Sequence, residues 1–179
     1  MIEYRSIADL NQTILRNLHR IPRDIDVVVG IPRSGLLVAN IVALHLNLPL
    51  TDVEGLIKGK MLSSGKRLYK SFGNDTLKPI KKALILDDSI ASGTQMRTTR
   101  AEIESANLSY ELIYAVVYAT RKSQKFVDIH METVERRLFE WNIMHHNILK
   151  KSCIDIDGVL CRDPTPVEND DGDSYRQFL

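Results

Sequence analysis

The segment that most constrains the fold is Leu84–Met96, with the sequence LILDDSIASGTQM. The apolar run Lys82–Leu86 predicts a buried strand that ends abruptly at two adjacent carboxylates, Asp87 and Asp88. Small residues follow, and a helix is predicted from Gln95 to Ser105. In parallel α/β sheets such a strand end opens on the ligand crevice, and the helix N-terminus favours an anion there.

Two carboxylates beside an anion pocket would repel a simple phosphate. They suit a ligand that also carries vicinal hydroxyls and a divalent cation, because carboxylates accept hydrogen bonds from hydroxyls and hold Mg²⁺ directly or through water. A ribose 5-phosphate has both features. The alternative, a solvated Asp-Asp turn that caps a helix, requires neither the buried strand nor the run of small residues.

A second strand–loop–helix unit is predicted at Val27–Ala39, with the sequence VVVGIPRSGLLVA. The β-branched run Ile25–Val29 predicts a strand, and Gly35–Leu46 predicts a helix. The loop between them offers an arginine and a helix N-terminus to a phosphate. Its residues are Ile31, Pro32, Arg33, Ser34 and Gly35. Taken alone, this loop is equally consistent with an ordinary turn.

The remaining pattern also alternates strands and helices, which predicts an α/β fold with a mainly parallel sheet. Ser6 is a candidate N-cap for a first helix. Further strands are predicted at Pro49–Leu56, Leu112–Ala119, Val127–Met131 and Ser152–Ile156, and a long polar loop at Gly59–Leu77.

Composition excludes several classes of protein. The 24 basic and 23 acidic residues give a net charge of +1, so a bulk attraction to nucleic acid is not indicated. Two cysteines are too few for a disulfide framework. No apolar run approaches the ~20 residues of a membrane span. A cytoplasmic protein is predicted.

Together the two units resemble the binding motifs of type I phosphoribosyltransferases, which use phosphoribosyl pyrophosphate (PRPP). The resemblance implies that Asp87 and Asp88 contact the ribose hydroxyls. It assigns the 5-phosphate to Ala91, Ser92, Gly93, Thr94 and Gln95, although many members carry threonine where this chain has Gln95. It assigns the pyrophosphate to the loop Ile31–Gly35, which often holds a non-proline cis peptide in the family.

The resemblance also implies a small hood, a flexible catalytic loop and a homodimer. The expected Mg²⁺ would be held by Asp87 and Asp88, directly or through PRPP or water. The catalytic loop is expected at Met61–Gly73, where Lys66 and Arg67 are the candidates to supply positive charge to the departing pyrophosphate. A solvated basic loop is the alternative for each of these two residues.

The hood is expected to come from Met1–Pro22 and part of Phe126–Asn147. Aromatic and histidine side chains in the second segment could stack on an acceptor, but core packing or an interface is favoured for them. They are Phe139, Trp141, His145 and His146.

The segment Lys150–Pro164 carries a separate pattern, Asp155-Ile156-Asp157-Gly158. It resembles the first motif of haloacid-dehalogenase-like phosphatases, which implies a nucleophile at Asp155 and a general acid/base at Asp157. The rest of that fold has no room in the sequence, so phosphatase activity is not predicted. Residues 1–149 are predicted to form the transferase domain and 150–179 an incomplete phosphatase-like tail, either the start of a fusion or a remnant.

A fused or partner phosphatase would remove the 5-phosphate that transfer from PRPP leaves on the product. The predicted acceptor is therefore a saccharide in polysaccharide biosynthesis. A nucleobase phosphoribosyltransferase and a non-catalytic PRPP-sensing regulator are the alternatives. An aspartate-nucleophile phosphatase is disfavoured by the missing motifs.

Overall fold

The computed structural model describes residues 2–62, 80–153, 155–159, 161–169 and 172–178. The strands are Glu3–Arg5 (β1), Val27–Gly30 (β2), Leu50–Asp52 (β3), Lys82–Ile90 (β4), Glu111–Ala119 (β5), Ile129–Thr133 (β6) and Arg137–Phe139 (β7). The α-helices are Ile7–Asn17 (α1), Ser34–Leu46 (α2), Val53–Ile57 (α3), Thr94–Ser105 (α4) and Asp173–Phe178 (α5). Short 3-10 helices cover Leu18–Arg20, Gln124–Phe126, Glu140–His145 and Asn147–Lys151.

The chain divides into two units, Met1–Asn142 and Ile143–Leu179. The first is built on a parallel five-stranded sheet of order β3-β2-β4-β5-β6. This arrangement confirms the predicted α/β fold. None of the helices in the described part of the chain is long and apolar enough to cross a membrane.

Both faces of the sheet are covered, which explains the continuous apolar runs in its strands. On β2, Val28 packs into one hydrophobic cluster, while Val27 and Val29 pack into the other. All three side chains are fully buried. The strands are therefore rigidly held, and their carboxyl ends form a fixed edge.

The predicted hood segments pair with each other in a second, two-stranded sheet. β1 runs parallel to β7, with Tyr4 opposite Leu138. The helix α1 follows β1 and begins with a full capping box, in which Ser6 and Asp9 each accept a hydrogen bond from the other's backbone N–H. This confirms Ser6 as the N-cap.

Two predicted strand boundaries are wrong. The strand Pro49–Leu56 shrinks to β3, because the Asp52 side chain accepts a hydrogen bond from the Gly55 N–H at 2.6 Å and caps α3. The strand β4 does not stop at Asp87 but continues to Ile90, because its pairing with β5 extends to the end of that neighbour.

The predicted final strand at Ser152–Ile156 is also wrong for the residues described there. Cys153 and Ile156 are exposed, so this run has no buried face on which to pack as a strand. In the second unit, only an isolated bridge between Asp157 and Cys161 has β character among the described residues. The predicted catalytic residues Lys66 and Arg67 lie outside the described part of the chain.

Candidate active site at the carboxyl edge of the sheet

The acidic pair sits at the carboxyl end of β4, the central strand of the sheet. Asp88 is 5% exposed and Asp87 is half-buried. The Oδ1 atom of Asp87 accepts a hydrogen bond from the Asp88 N–H at 2.9 Å. Burial, followed by the charge of the Asp88 carboxylate, raises the pKa of Asp87 to about 8. The site therefore disfavours two simultaneous carboxylate charges, and at neutral pH Asp87 holds a proton.

Outside the acidic pair, two side chains of the described residues donate to the Asp88 carboxylate, and both bonds end on its Oδ2 atom. The Trp141 Nε1–H donates at 2.7 Å and the Asn142 amide Nδ2–H at 3.0 Å. Sequence reasoning missed these contacts, because the donors lie 53 and 54 residues from Asp88 and no local pattern links them.

The loop Ile31–Gly35 follows the neighbouring strand β2 and lies against β4. The Ile31 N–H donates to the Leu86 carbonyl at 2.9 Å. A Cβ atom added at Gly35 would lie 2.6 Å from that same carbonyl oxygen and 3.1 Å from the Asp87 Oδ1 atom. The Pro32–Arg33 peptide bond is cis, as the family resemblance implied.

The same loop reaches the acidic pair through Asn142. The Asn142 Oδ1 atom accepts hydrogen bonds from the Arg33 guanidinium at 3.3 Å and from the Ser34 hydroxyl at 3.1 Å. Asn142 thus contacts both Asp88 and the Ile31–Gly35 loop. The predicted parallel strands place both loops at one edge of the sheet, but no pattern in the sequence indicates that Asn142 joins them.

The loop Ala91–Gln95 leads from β4 into α4 and is exposed except at Gly93. Gly93 caps the helix with φ +75°, and a Cβ there would meet the Phe126 ring at 2.8 Å. The Ser92 hydroxyl donates to the Thr94 Oγ1 atom at 3.0 Å. The α4 N-terminus therefore presents hydroxyls and backbone N–H groups to solvent.

Three further residues fix this loop and were missed by sequence reasoning. The Ile90 carbonyl accepts hydrogen bonds from the Ser123 hydroxyl and from the Arg137 guanidinium, both at 2.9 Å. The Arg97 guanidinium donates to the Ser92 carbonyl at 3.3 Å and to the Thr94 Oγ1 atom at 3.4 Å. Arg97 places a positive charge directly beside the exposed loop.

Phe139 lies in the core and Trp141 packs against it, in agreement with the core packing favoured from the sequence. Their rings stack with centroids 4.7 Å apart, and Tyr118 lies against both. Phe139 and Tyr118 are buried, so only the half-buried Trp141 has part of its side chain at the surface.

The residues present fit a divalent cation only as part of a ligand complex. No cluster of three or more histidine, cysteine, aspartate or glutamate side chains able to hold a metal occurs within the described ranges. Asp87 and Asp88 offer the oxygen donors that Mg²⁺ prefers, and a cation beside them would lower the charge cost at Asp87. Mg²⁺ commonly binds in this way, through one or two carboxylates together with substrate phosphates and water.

The phosphatase-like pair in the second unit has a different environment. Asp155 is exposed, while both carboxylate oxygens of Asp157 accept from the Tyr175 hydroxyl, at 2.8 and 2.9 Å. The resemblance of this pair to a phosphatase motif stays a prediction, and no phosphatase activity is predicted from it.

Two helix N-termini and an acidic pair on adjacent strands are the arrangement of α/β proteins that bind phosphorylated ligands at the carboxyl edge of a sheet. A family model described as a phosphoribosyl transferase domain matches residues 1–147, and the chain belongs to this family of phosphoribosyltransferases. No curated protein matches the chain.

Solved structures share this fold at low sequence identity. A xanthine-guanine-hypoxanthine phosphoribosyltransferase from Helicobacter pylori is 14% identical with a TM-score of 0.59, covering 85% of this chain and 99% of its own. A purine phosphoribosyltransferase from Pyrococcus horikoshii is 19% identical (TM-score 0.54; 77% and 91% covered). A hypothetical protein from Neisseria gonorrhoeae with bound ppGpp is 16% identical (TM-score 0.55; 84% and 97% covered).

Proposed function

We propose that this phosphoribosyltransferase transfers the 5-phosphoribosyl group of PRPP to a nucleobase, with Mg²⁺ and with release of pyrophosphate. The observation that carries the proposal is the position of Asp87 and Asp88 between two loops that each open a helix on adjacent strands. One ligand with a phosphate at each end and hydroxyls between them matches that order.

In this proposal the loop Ala91–Gln95 binds the 5-phosphate through backbone N–H groups and the Ser92 and Thr94 hydroxyls. The loop Ile31–Gly35, with Arg33, binds the pyrophosphate. Mg²⁺, when bound, neutralises charge on the leaving group. Asp87 and Asp88 accept hydrogen bonds from the ribose hydroxyls. They also place negative charge near the C1 atom of the sugar, which becomes positive as its bond to pyrophosphate breaks.

The acceptor assignment differs from the saccharide predicted from the tail. Two of the structural neighbours are named as purine-type phosphoribosyltransferases, which favours a nucleobase. The saccharide stays a second candidate because the tail still carries the sequence Asp155-Ile156-Asp157-Gly158. A cytoplasmic setting, a homodimer and a role for Lys66 and Arg67 are further predictions that belong to this proposal.

The test is Mg²⁺-dependent release of pyrophosphate from PRPP with purines, orotate and glycans as separate acceptors. Release driven by a base supports the proposal, and release driven only by a glycan replaces it with the second candidate. If PRPP binds but no acceptor drives release, the regulatory alternative applies. In that case, binding of ppGpp should be measured, since one neighbour holds it.

We expect Arg97→Gln to raise the KM for PRPP about tenfold with a smaller change in kcat, because a charge-assisted contact to the 5-phosphate is lost. Steady-state kinetics with PRPP as the varied substrate would measure it. The control is Arg100→Gln on the same helix, where the guanidinium lies 3.7 Å from the Tyr114 ring centroid rather than at the loop. Equal effects of both substitutions would contradict a direct role for Arg97.

A further inference from the structure

We infer that Trp141 and Asn142 are positioning residues, which orient the Asp88 carboxylate toward the ribose hydroxyls and connect it to the pyrophosphate loop. This inference rests on the proposed binding of PRPP at Asp88 and adds two residues that act through it.

Two hydrogen bonds set the orientation of the Asp88 carboxylate. Both recorded donors converge on Oδ2, at 2.7 Å from Trp141 and 3.0 Å from Asn142. Two bonds to one oxygen fix the rotation of the carboxylate group and direct Oδ1 away from these donors. Because Asp88 is 5% exposed, water cannot easily replace either donor. An Asp88 without them would keep its position on β4 but lose its orientation.

An aromatic stack holds the Trp141 ring, and with it the N–H donor, in place. Its ring stacks on Phe139 with centroids 4.7 Å apart, and on Tyr118 at 6.2 Å. The stack sets the plane of the indole, so the Nε1–H has one direction. Trp141 therefore links the orientation of the Asp88 carboxylate to the packing of the hydrophobic core.

Asn142 connects Asp88 to the Ile31–Gly35 loop. Its NH₂ group faces the Asp88 carboxylate, which only accepts, and its Oδ1 atom faces the Arg33 and Ser34 donors. The chemistry of the partners leaves one orientation of the amide. A single side chain thus connects the residue proposed to read the ribose with the loop proposed to hold the pyrophosphate.

The test separates ribose recognition from pyrophosphate binding. Dissociation constants are measured for ribose 5-phosphate, for its 2-deoxy and 3-deoxy analogues, and for pyrophosphate with Mg²⁺. We expect the native protein to prefer ribose 5-phosphate over one of the analogues. Trp141→Phe keeps an aromatic ring but removes the N–H, and should lower this preference about tenfold while leaving pyrophosphate binding unchanged. Asn142→Asp replaces a donor by an acceptor facing Asp88 and should lower it at least as much.

The matched control is Tyr118→Phe, which removes a polar atom from the same aromatic stack. The Tyr118 hydroxyl lies 3.4 Å from the Thr13 hydroxyl and not at the acidic pair, so its loss should leave the preference unchanged. Should Trp141→Phe fail to fold, Asn142→Asp tests the orientation of the same Asp88 carboxylate through its other donor. Thermal melting establishes which variants are native.

Asp88→Asn separates failure of the inference from failure of the proposed function. If it removes the preference while both Trp141→Phe and Asn142→Asp keep it, the positioning role is overturned and the ribose site stands. If Asp88→Asn itself leaves the preference intact, Asp88 does not bind the ribose, and the proposed function and the inference fall together. Loss of pyrophosphate binding in Trp141→Phe would indicate a general structural role and overturn the inference.

Discussion

Replacing Asp87 by asparagine should strongly reduce phosphoribosyl transfer and, at the same time, stabilise the protein at pH 8 in the absence of ligands. Burial of the Asp87 carboxylate and repulsion by Asp88 both penalise its ionised form, and a bound cation and hydroxyls would offset this cost. Removing one charge relieves the repulsion but deletes a proposed ligand of the ribose and of Mg²⁺. We expect pyrophosphate release to fall by about 10²-fold or more.

The gain in stability should depend on pH in a defined direction. The pKa of Asp87 is raised from 3.8 to about 8, so the folded protein retains a proton that the unfolded chain has released between these values. The free energy of unfolding of the native protein therefore falls as pH rises from about 4 to 8. Asp87→Asn removes this loss, so its advantage is absent near pH 4 and complete above pH 8.

Melting temperatures of both proteins from pH 4 to 9 would measure the effect, at about 2–4 °C for each kcal/mol in a chain of this size. The control is Asp24→Asn, because Lys82 lowers the pKa of that exposed carboxyl and its loss should give no gain at pH 8. Equal melting temperatures of the native protein and Asp87→Asn at pH 8 would contradict the prediction.

A second large effect is expected from Gly35→Ala. The added Cβ would lie 2.6 Å from the Leu86 carbonyl oxygen and 3.1 Å from the Asp87 Cα atom. That carbonyl cannot turn away freely, because it accepts the Ile31 N–H. The helix α2 or the end of β4 must shift, at a cost of about 1–3 kcal/mol in stability. Displacing the acidic pair by even 1 Å should lower kcat/KM by about 10²-fold.

Denaturant unfolding and pyrophosphate release would measure the two effects of Gly35→Ala. Gly59→Ala is the control, since Gly59 has φ +65° and open space around its missing Cβ. It should cost about 1–2 kcal/mol through backbone strain alone, without a collision at Asp87. A similar loss of activity in both variants would show that lower stability, not displacement of Asp87, causes it.

The two strand–loop–helix units were predictable because each is local. An apolar run of strand length, then a loop of small residues, then a segment with helix-forming residues specifies strand, loop and helix within a short stretch of chain. Parallel pairing then brings both loops to one edge, which is why Asp87, Asp88 and Arg33 could be predicted to lie there. The end of β4 was not predictable in the same way, because the pairing of Ser89 with Tyr118 is decided by the neighbouring strand.

The partners of Asp88 were beyond sequence reasoning for a related reason. Trp141 and Asn142 approach it only after β5, β6 and β7 have been added to the fold, and their own neighbourhood has no phosphate or metal pattern. Core packing or an interface was favoured for Trp141, and its ring does stack on Phe139, but its N–H bond to Asp88 was not predicted. Long-range polar contacts of this kind require the tertiary structure.

The pairing of β1 with β7 affects the order in which the molecule forms. Glu3 lies opposite Arg137, so the two strands join opposite ends of the first unit across more than 130 residues. Closing so large a loop costs conformational entropy, and pairings of this range slow folding. During synthesis, β1 therefore waits until β7 has left the ribosome. The nearness of these ends also makes the first unit a candidate for circular permutation, with new termini opened in an exposed loop of the sheet.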